Sequence, residues 1–187
     1  MSTRNKSVGC LARACVGALA SWAALGGAAT AAEGTTVRAM SPWQGSGQVF
    51  DVGPGKRLIL GRFTGILYLD GGKGPLDAGL MLCPAMVRLD LGANATEASG
   101  HCTITDDEAE DMVYSDWRCK GAPGTPCEGE LTITGGSGKF EGISGGGAMT
   151  FRAALVQTAV DLAEGTVVRD AAGLAVWPAI RLEIPPR

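Results

Sequence analysis

The cadence of this chain constrains its fold more than any other feature. Between residues 48 and 184, short runs rich in aliphatic, aromatic and β-branched residues alternate with clusters of Gly, Pro and Asp. QVFDV (48–52) runs into GPGK, RLILGRFTGILYLD (57–70) into GGKGPLD, and GLMLCPAMVRLDL (79–91) into GANA. ASGHCTIT (98–105) ends in DDEAED, MVYSDWRC (112–119) in KGAPGTP, and CEGELTIT (127–134) in a stretch holding seven glycines between Gly135 and Gly147. GAMTFRAALVQ (147–157), TVVRD (166–170) and LAVWPAIRLEI (174–184) complete the series, and only TAVDLAEG (158–165) reads as a short helix. Regular strands with turn signals and little helical periodicity predict an all-β sandwich or barrel. No internal repeat and no linker divides it.

The first residues address the chain for export. Arg4, Lys6 and Arg13 form a basic region with no acid before Glu33, followed by the apolar ACVGALASWAA and the small-residue GGAATAA. That layout predicts a signal peptide over residues 1–32 and one mature domain over 33–187, periplasmic or extracellular. An uncleaved anchor is disfavoured because Ala and Gly partition weakly into hydrocarbon. Loss of three basic residues leaves 13 against 19 acids, a net charge of −6. Nucleic acid and anionic membrane surfaces select for cationic patches, so neither is an expected partner. No later segment is long and apolar enough to span a bilayer. Asn94-Ala95-Thr96 is a glycosylation sequon that matters only in a eukaryotic secretory route.

Four cysteines remain in the mature chain: Cys83, Cys102, Cys119 and Cys127. An even number in an exported protein reads as two disulfides, and the spacings of 19, 17 and 8 lack the close pairs that zinc favours. Alternation along 79–91 puts Met81, Cys83, Ala85, Val87 and Leu89 on one face. A hairpin turning about Gly92 and Ala93 sets Cys83 opposite Cys102. A second hairpin centred on Pro123 sets Cys119 opposite Cys127, Trp117 opposite Gly129 and Val113 opposite Ile133. Directly opposed residues come within disulfide reach, so the expected pairs are Cys83–Cys102 and Cys119–Cys127.

The glycine stretch invites a phosphate-loop reading and fails it. Gly138-Lys139 is followed by Phe140 where a P-loop needs Ser or Thr, and the position five before Gly138 is Ile133. In the dinucleotide pattern Glu141 stands where the third glycine belongs. GAMTFRAAL reads as a strand, so no helix N-terminus follows to hold a phosphate. The glycines serve sharp corners between strands.

Gly135-Gly136-Ser137-Gly138-Lys139-Phe140-Glu141-Gly142-Ile143-Ser144-Gly145 resembles the G-G-T-G-x-[FY]-x-G-x-x-G pattern of the barrel shared by allene oxide cyclases and dirigent proteins. Gly100-His101-Cys102-Thr103-Ile104-Thr105-Asp106 is similar to the G-x-C-x-x-T-D segment of exported bacterial proteins with an allene-oxide-cyclase-like barrel, with Asp111 a shifted counterpart of their second Asp. The resemblance spans roughly Gly45 to Phe151 and implies a single antiparallel β-barrel of about eight strands.

Few residues offer chemistry. His101, the single histidine, falls on the face opposite Cys102 and points outward, with no G-x-S-x-G elbow to serve. The acidic run 106–111 lacks the spacing and glycine of a calcium loop and reads as a solvated turn; no metal or cofactor is expected. Ile59, Gly61, Phe63, Gly65, Leu67 and Leu69 share one inward face; Gly147, Met149, Phe151, Ala153 and Leu155 share another; Val113, Trp117, Leu131 and Ile133 join them. None is charged. Tyr114, Arg62 and Glu141 lie elsewhere and can act only from a barrel mouth.

An interior of this kind suits one apolar molecule and supplies no general acid or base. The candidate ligand-binding residues are Phe63, Leu67, Trp117, Met149 and Phe151, with no catalytic residue. The expected function is a non-catalytic binding or interaction module for a small apolar ligand or a protein partner. The alternatives are a cyclase- or isomerase-like enzyme acting on a hydrophobic substrate in the barrel, as the resemblance implies, and a structural envelope module with a filled core.

Overall fold

The computed structural model describes residues 33–70, 78–153 and 167–185. They form eight antiparallel strands: β1 (Glu33–Gly53), β2 (Lys56–Leu69), β3 (Ala78–Asp90), β4 (Ala95–Thr105), β5 (Met112–Gly121), β6 (Cys127–Gly136), β7 (Ser144–Ala153) and β8 (Val167–Ile184). Each strand pairs with the next, and β8 pairs back onto β1, so the sheet closes as an up-and-down barrel. The expected all-β barrel of about eight strands is what the chain forms. Residues 1–32, where the signal peptide is expected, and 158–165, read as a short helix, lie outside the described residues.

The hydrophobic pattern sets the register. Along β2 the residues at Ile59, Gly61, Phe63, Gly65, Leu67 and Leu69 face inward while Leu60, Arg62, Thr64, Ile66 and Tyr68 face out. β1 begins at Glu33, well before the expected 48, because its inward residues Val37, Ala39 and Ser41 are small or polar and carry little apolar signal. Likewise the two expected runs 166–170 and 174–184 are one strand, continuous through Ala171, Ala172 and Gly173.

The first disulfide hairpin has the expected register. Leu82↔Thr103 and Ala85↔Gly100 bracket Cys83 opposite Cys102, and the two are bridged with Cα atoms 4.2 Å apart. The second hairpin pairs the expected cysteines in a different register. Cys119 faces Gly129 instead of Cys127, Trp117 faces Leu131 instead of Gly129, and Val113 faces Gly136 instead of Ile133. The turn holds its own hydrogen bonds, Ala122 N–H to Thr125 Oγ1 and Thr125 N–H to Ala122 O, both 3.0 Å, which leave Cys127 opposite the strand's last residue. Next to the turn the slip is two, which preserves the inward face, and an irregularity between Tyr114 and Ser115 adds one more towards Val113; Cys119–Cys127 still closes as a diagonal bridge, Cα atoms 5.4 Å apart.

Candidate functional site

Side chains fill one half of the barrel. Phe151 lies parallel between Trp43 and Trp117, with ring centroids 4.6 and 5.5 Å away and interplanar angles of 13° in both pairs. Phe63 meets Trp43 and Phe151 edge-on at 4.8 and 5.2 Å. Glycine makes this stack possible. Gly100 lies opposite Trp117, and a Cβ there would stand 2.7 Å from the indole Nε1. Gly173 lies opposite Trp43, where a Cβ would fall 2.4 Å from the ring. The inward glycines are the floor on which the rings rest.

The other half is aliphatic and retains a cavity of about 40 Å³. Its walls include Val37, Leu67, Met81, Ile104, Val113, Leu131, Ile133, Ile180 and Leu182. None of the described residues that line it is charged. Two residues of the lining, Ser115 and Trp177, also carry buried polar atoms with no hydrogen-bond partner among the described residues, though the cavity surface itself is wholly apolar. Ser115 is 2 % exposed and Trp177 3 %.

The glycine stretch closes this end. Ser137 leads into a single 3-10 turn, Gly138–Phe140, which drives Phe140 and Ile143 down into the cavity wall. The acidic run anchors that plug. Ser137 Oγ donates to Glu110 O at 2.6 Å, Lys139 N–H donates to Asp111 Oδ1 at 2.8 Å, and the Lys139 ammonium pairs with both Asp106 and Asp111. Hydrogen bonding to Asp106, then to Asp111, raises the Lys139 pKa above its ordinary value. The solvated turn expected of residues 106–111 therefore holds for Asp107, Glu108 and Glu110 only; Asp106 and Asp111 are mostly covered.

The outside of the barrel is two-sided. Across β4, β5 and β6 the outward residues form opposed polar pairs: the ion pairs Lys120 with Glu97 at 2.7 Å and Arg118 with Glu130 at 3.4 Å, and a hydrogen bond between His101 Nδ1 and Asp116 at 2.5 Å. The Lys120 hydrogen bond holds Glu97 below the usual carboxylate pKa. His101 faces outward, as its alternation requires, on a groove of about 580 Å³ that also carries Asp116, Arg118 and Glu130. Across β1, β2 and β3 the outward residues include an apolar cluster among charged and polar neighbours such as Arg38, Arg62 and Thr64. Met40 lies opposite Tyr68, Ile66 opposite Leu80, and Leu82 opposite Thr64; all five apolar side chains are exposed, Leu80 to 63 %.

Of the five ligand-binding candidates, Leu67 lines the cavity, Phe63, Trp117 and Phe151 build the aromatic stack, and Met149 is buried in the core. Tyr114 is on the outer wall, donating to Met112 Sδ at 3.6 Å; Arg62 is also outward, and Glu141 is exposed on the plug loop. Sequence reasoning passed over Ser115, Trp43, Trp177 and Phe140. For Ser115 a signal was present, since it alternates in phase with Val113 and Trp117. No family model matches the chain, and neither the curated proteins nor the solved structures contain a match to it.

Proposed function

We propose that this chain is an exported, non-catalytic interaction module that docks through the apolar outer face of β1–β3, and that the surface it docks first is the same face of a second copy. The observation that carries this reading is the cluster Met40, Ile66, Tyr68, Leu80 and Leu82, contiguous across three strands and left in water. Contiguous exposed apolar surface of this kind marks a contact site. A closed barrel has no free strand edge to extend, so association must run through side chains. The Lys120–Glu97 and Arg118–Glu130 pairs lie on β4–β6, away from this cluster, so two copies meeting through it leave them in water.

Residues 1–32 direct export, and the two disulfides suit an oxidising compartment. No helix among the described residues is long and apolar enough to cross a membrane. The apolar interior and the charged outer ladder run opposite to the pattern of a membrane-spanning barrel, which is apolar outside and polar within. An interior without an acid or a base gives a cyclase-like reaction no proton donor or acceptor. The likeness to allene-oxide-cyclase-like barrels rests on the Gly135–Gly145 and Gly100–Asp106 motifs.

Sedimentation velocity of the oxidised mature chain tests this reading. The wild type should shift to a larger species as concentration rises through the micromolar range, and Leu80→Lys should sediment as a folded monomer. A wild type that stays monomeric throughout contradicts it.

A further inference from the structure

We infer that Met40 is an oxidation site that governs the outer apolar face: conversion of its thioether to the sulfoxide by a peroxide separates the two copies. The inference rests on the docking reading given above and names its regulation. Met40 stands apart from the other methionines among the described residues. Met81 and Met149 are core side chains, 4 and 3 % exposed, and Met86 and Met112 are half-buried. The Met112 sulfur also accepts a hydrogen bond from the Tyr114 hydroxyl at 3.6 Å. Met40 is 47 % exposed. On β1 it lies opposite Tyr68 of β2 and Val176 of β8, which sets its side chain within the apolar cluster.

Exposure decides which thioether a peroxide reaches. The sulfur attacks one peroxide oxygen, and the S–O bond forms as the O–O bond breaks. The departing hydroxide takes the proton of the transferred oxygen and leaves as water. Sulfur is oxidised by two electrons and the peroxide is reduced. The product is polar where the thioether was pliant and apolar. Ile66, Leu80 and Leu82 offer the new oxygen no hydrogen-bond donor, so closing the contact strips it of water. A two-fold contact sets the same face on both copies, so each pair bears this penalty twice. Met81 and Met149 are shielded, so the barrel itself survives.

The test treats the disulfide-bonded mature chain with dilute hydrogen peroxide, locates the added oxygen by peptide mass mapping and follows association by sedimentation velocity. Met40 should gain oxygen faster than Met86 and Met112 and well ahead of Met81 and Met149, with the near-ultraviolet circular dichroism unchanged. Association should weaken by about tenfold or more once Met40 is oxidised, the scale of two polar groups desolvated in one contact. Met40→Leu should associate as the wild type does and keep associating after the same treatment. Oxidation of Met86 or Met112 ahead of Met40, or equal dissociation of Met40→Leu by peroxide, overturns the inference. Loss of the near-ultraviolet spectrum on oxidation would make the effect unfolding and overturn it as well. A wild type that associates as tightly with Met40 fully oxidised overturns it while the docking reading stands. A wild type that does not associate before peroxide is added removes the docking reading, and the inference falls with it.

Discussion

Lys139 and Asp111, far apart in sequence, are joined twice: the Lys139 main-chain N–H donates to Asp111 Oδ1 at 2.8 Å, and its ammonium lies 3.2 Å from Oδ2. This double contact binds the glycine stretch to the acidic run and holds Phe140 in the end of the barrel. It also explains a glycine. Gly138 adopts φ +57°, and a Cβ there would lie 2.1 Å from Asp111 Oδ1. Gly138→Ala is expected to destabilise the fold by roughly 1–3 kcal/mol, through left-handed strain and loss of the latch, as read by urea unfolding.

Stability should fall at both ends of the pH scale for identified reasons. Lys139 has a raised pKa in the folded state, so its contribution is complete below the ordinary lysine value of 10.5 and is lost as pH rises through the higher folded value. Asp90, held down first by the Ala93 N–H, and Glu97, held down first by Lys120, have lowered values. Their contributions are complete above the ordinary 3.8 and 4.5 and are lost as pH falls through the lower folded values. Thermal melts across pH should show Lys139→Met flattening the alkaline limb and Glu97→Gln flattening part of the acid limb.

The aromatic stack should be the stiffest part of the interior. Phe151 touches Trp43, Trp117 and Phe63 at once, so Phe151→Ala should cost about 3–5 kcal/mol in chemical denaturation. Gly100→Val attacks the same stack from beneath by forcing the Trp117 ring off its seat. It should cost about 1–3 kcal/mol and change the near-ultraviolet circular dichroism.

The two bridges should differ in weight. Cys83–Cys102 closes a separation of 19 residues and Cys119–Cys127 one of 8. By loop-closure entropy, removing the first as a Ser pair should cost about 3 kcal/mol and removing the second slightly less, measured under oxidising conditions with the other bridge intact.

Much of this architecture was legible in the sequence, and the exceptions share a cause. Enough inward positions of β2 to β6 carry large apolar residues or cysteine, such as Phe63, Leu67, Met81, Cys83, Cys102, Ile104, Trp117 and Leu131, that the strands and the Cys83–Cys102 register could be read directly. Where inward positions carry Ala, Ser or Gly, as at Ala39, Ser41 and Ala171–Gly173, alternation loses its contrast, and both the start of β1 and the continuity of β8 went unread. The second hairpin slipped because side-chain hydrogen bonds from Thr125, rather than the symmetry of the cysteines, set its turn. The cavity needed more than local pattern. Its lining residues come from strands that never pair, such as β5 and β8, and surround one space only when the sheet closes.

Hydroxyl-radical footprinting across protein concentration tests the interaction face most directly. The account predicts that oxidation of Met40 and Tyr68 on β1 and β2 falls as the mature chain is concentrated, while Tyr114 and His101 on the far strands are oxidised at a constant rate. Equal oxidation of Met40 and Tyr68 at every concentration, or protection confined to His101 and Tyr114, would contradict it.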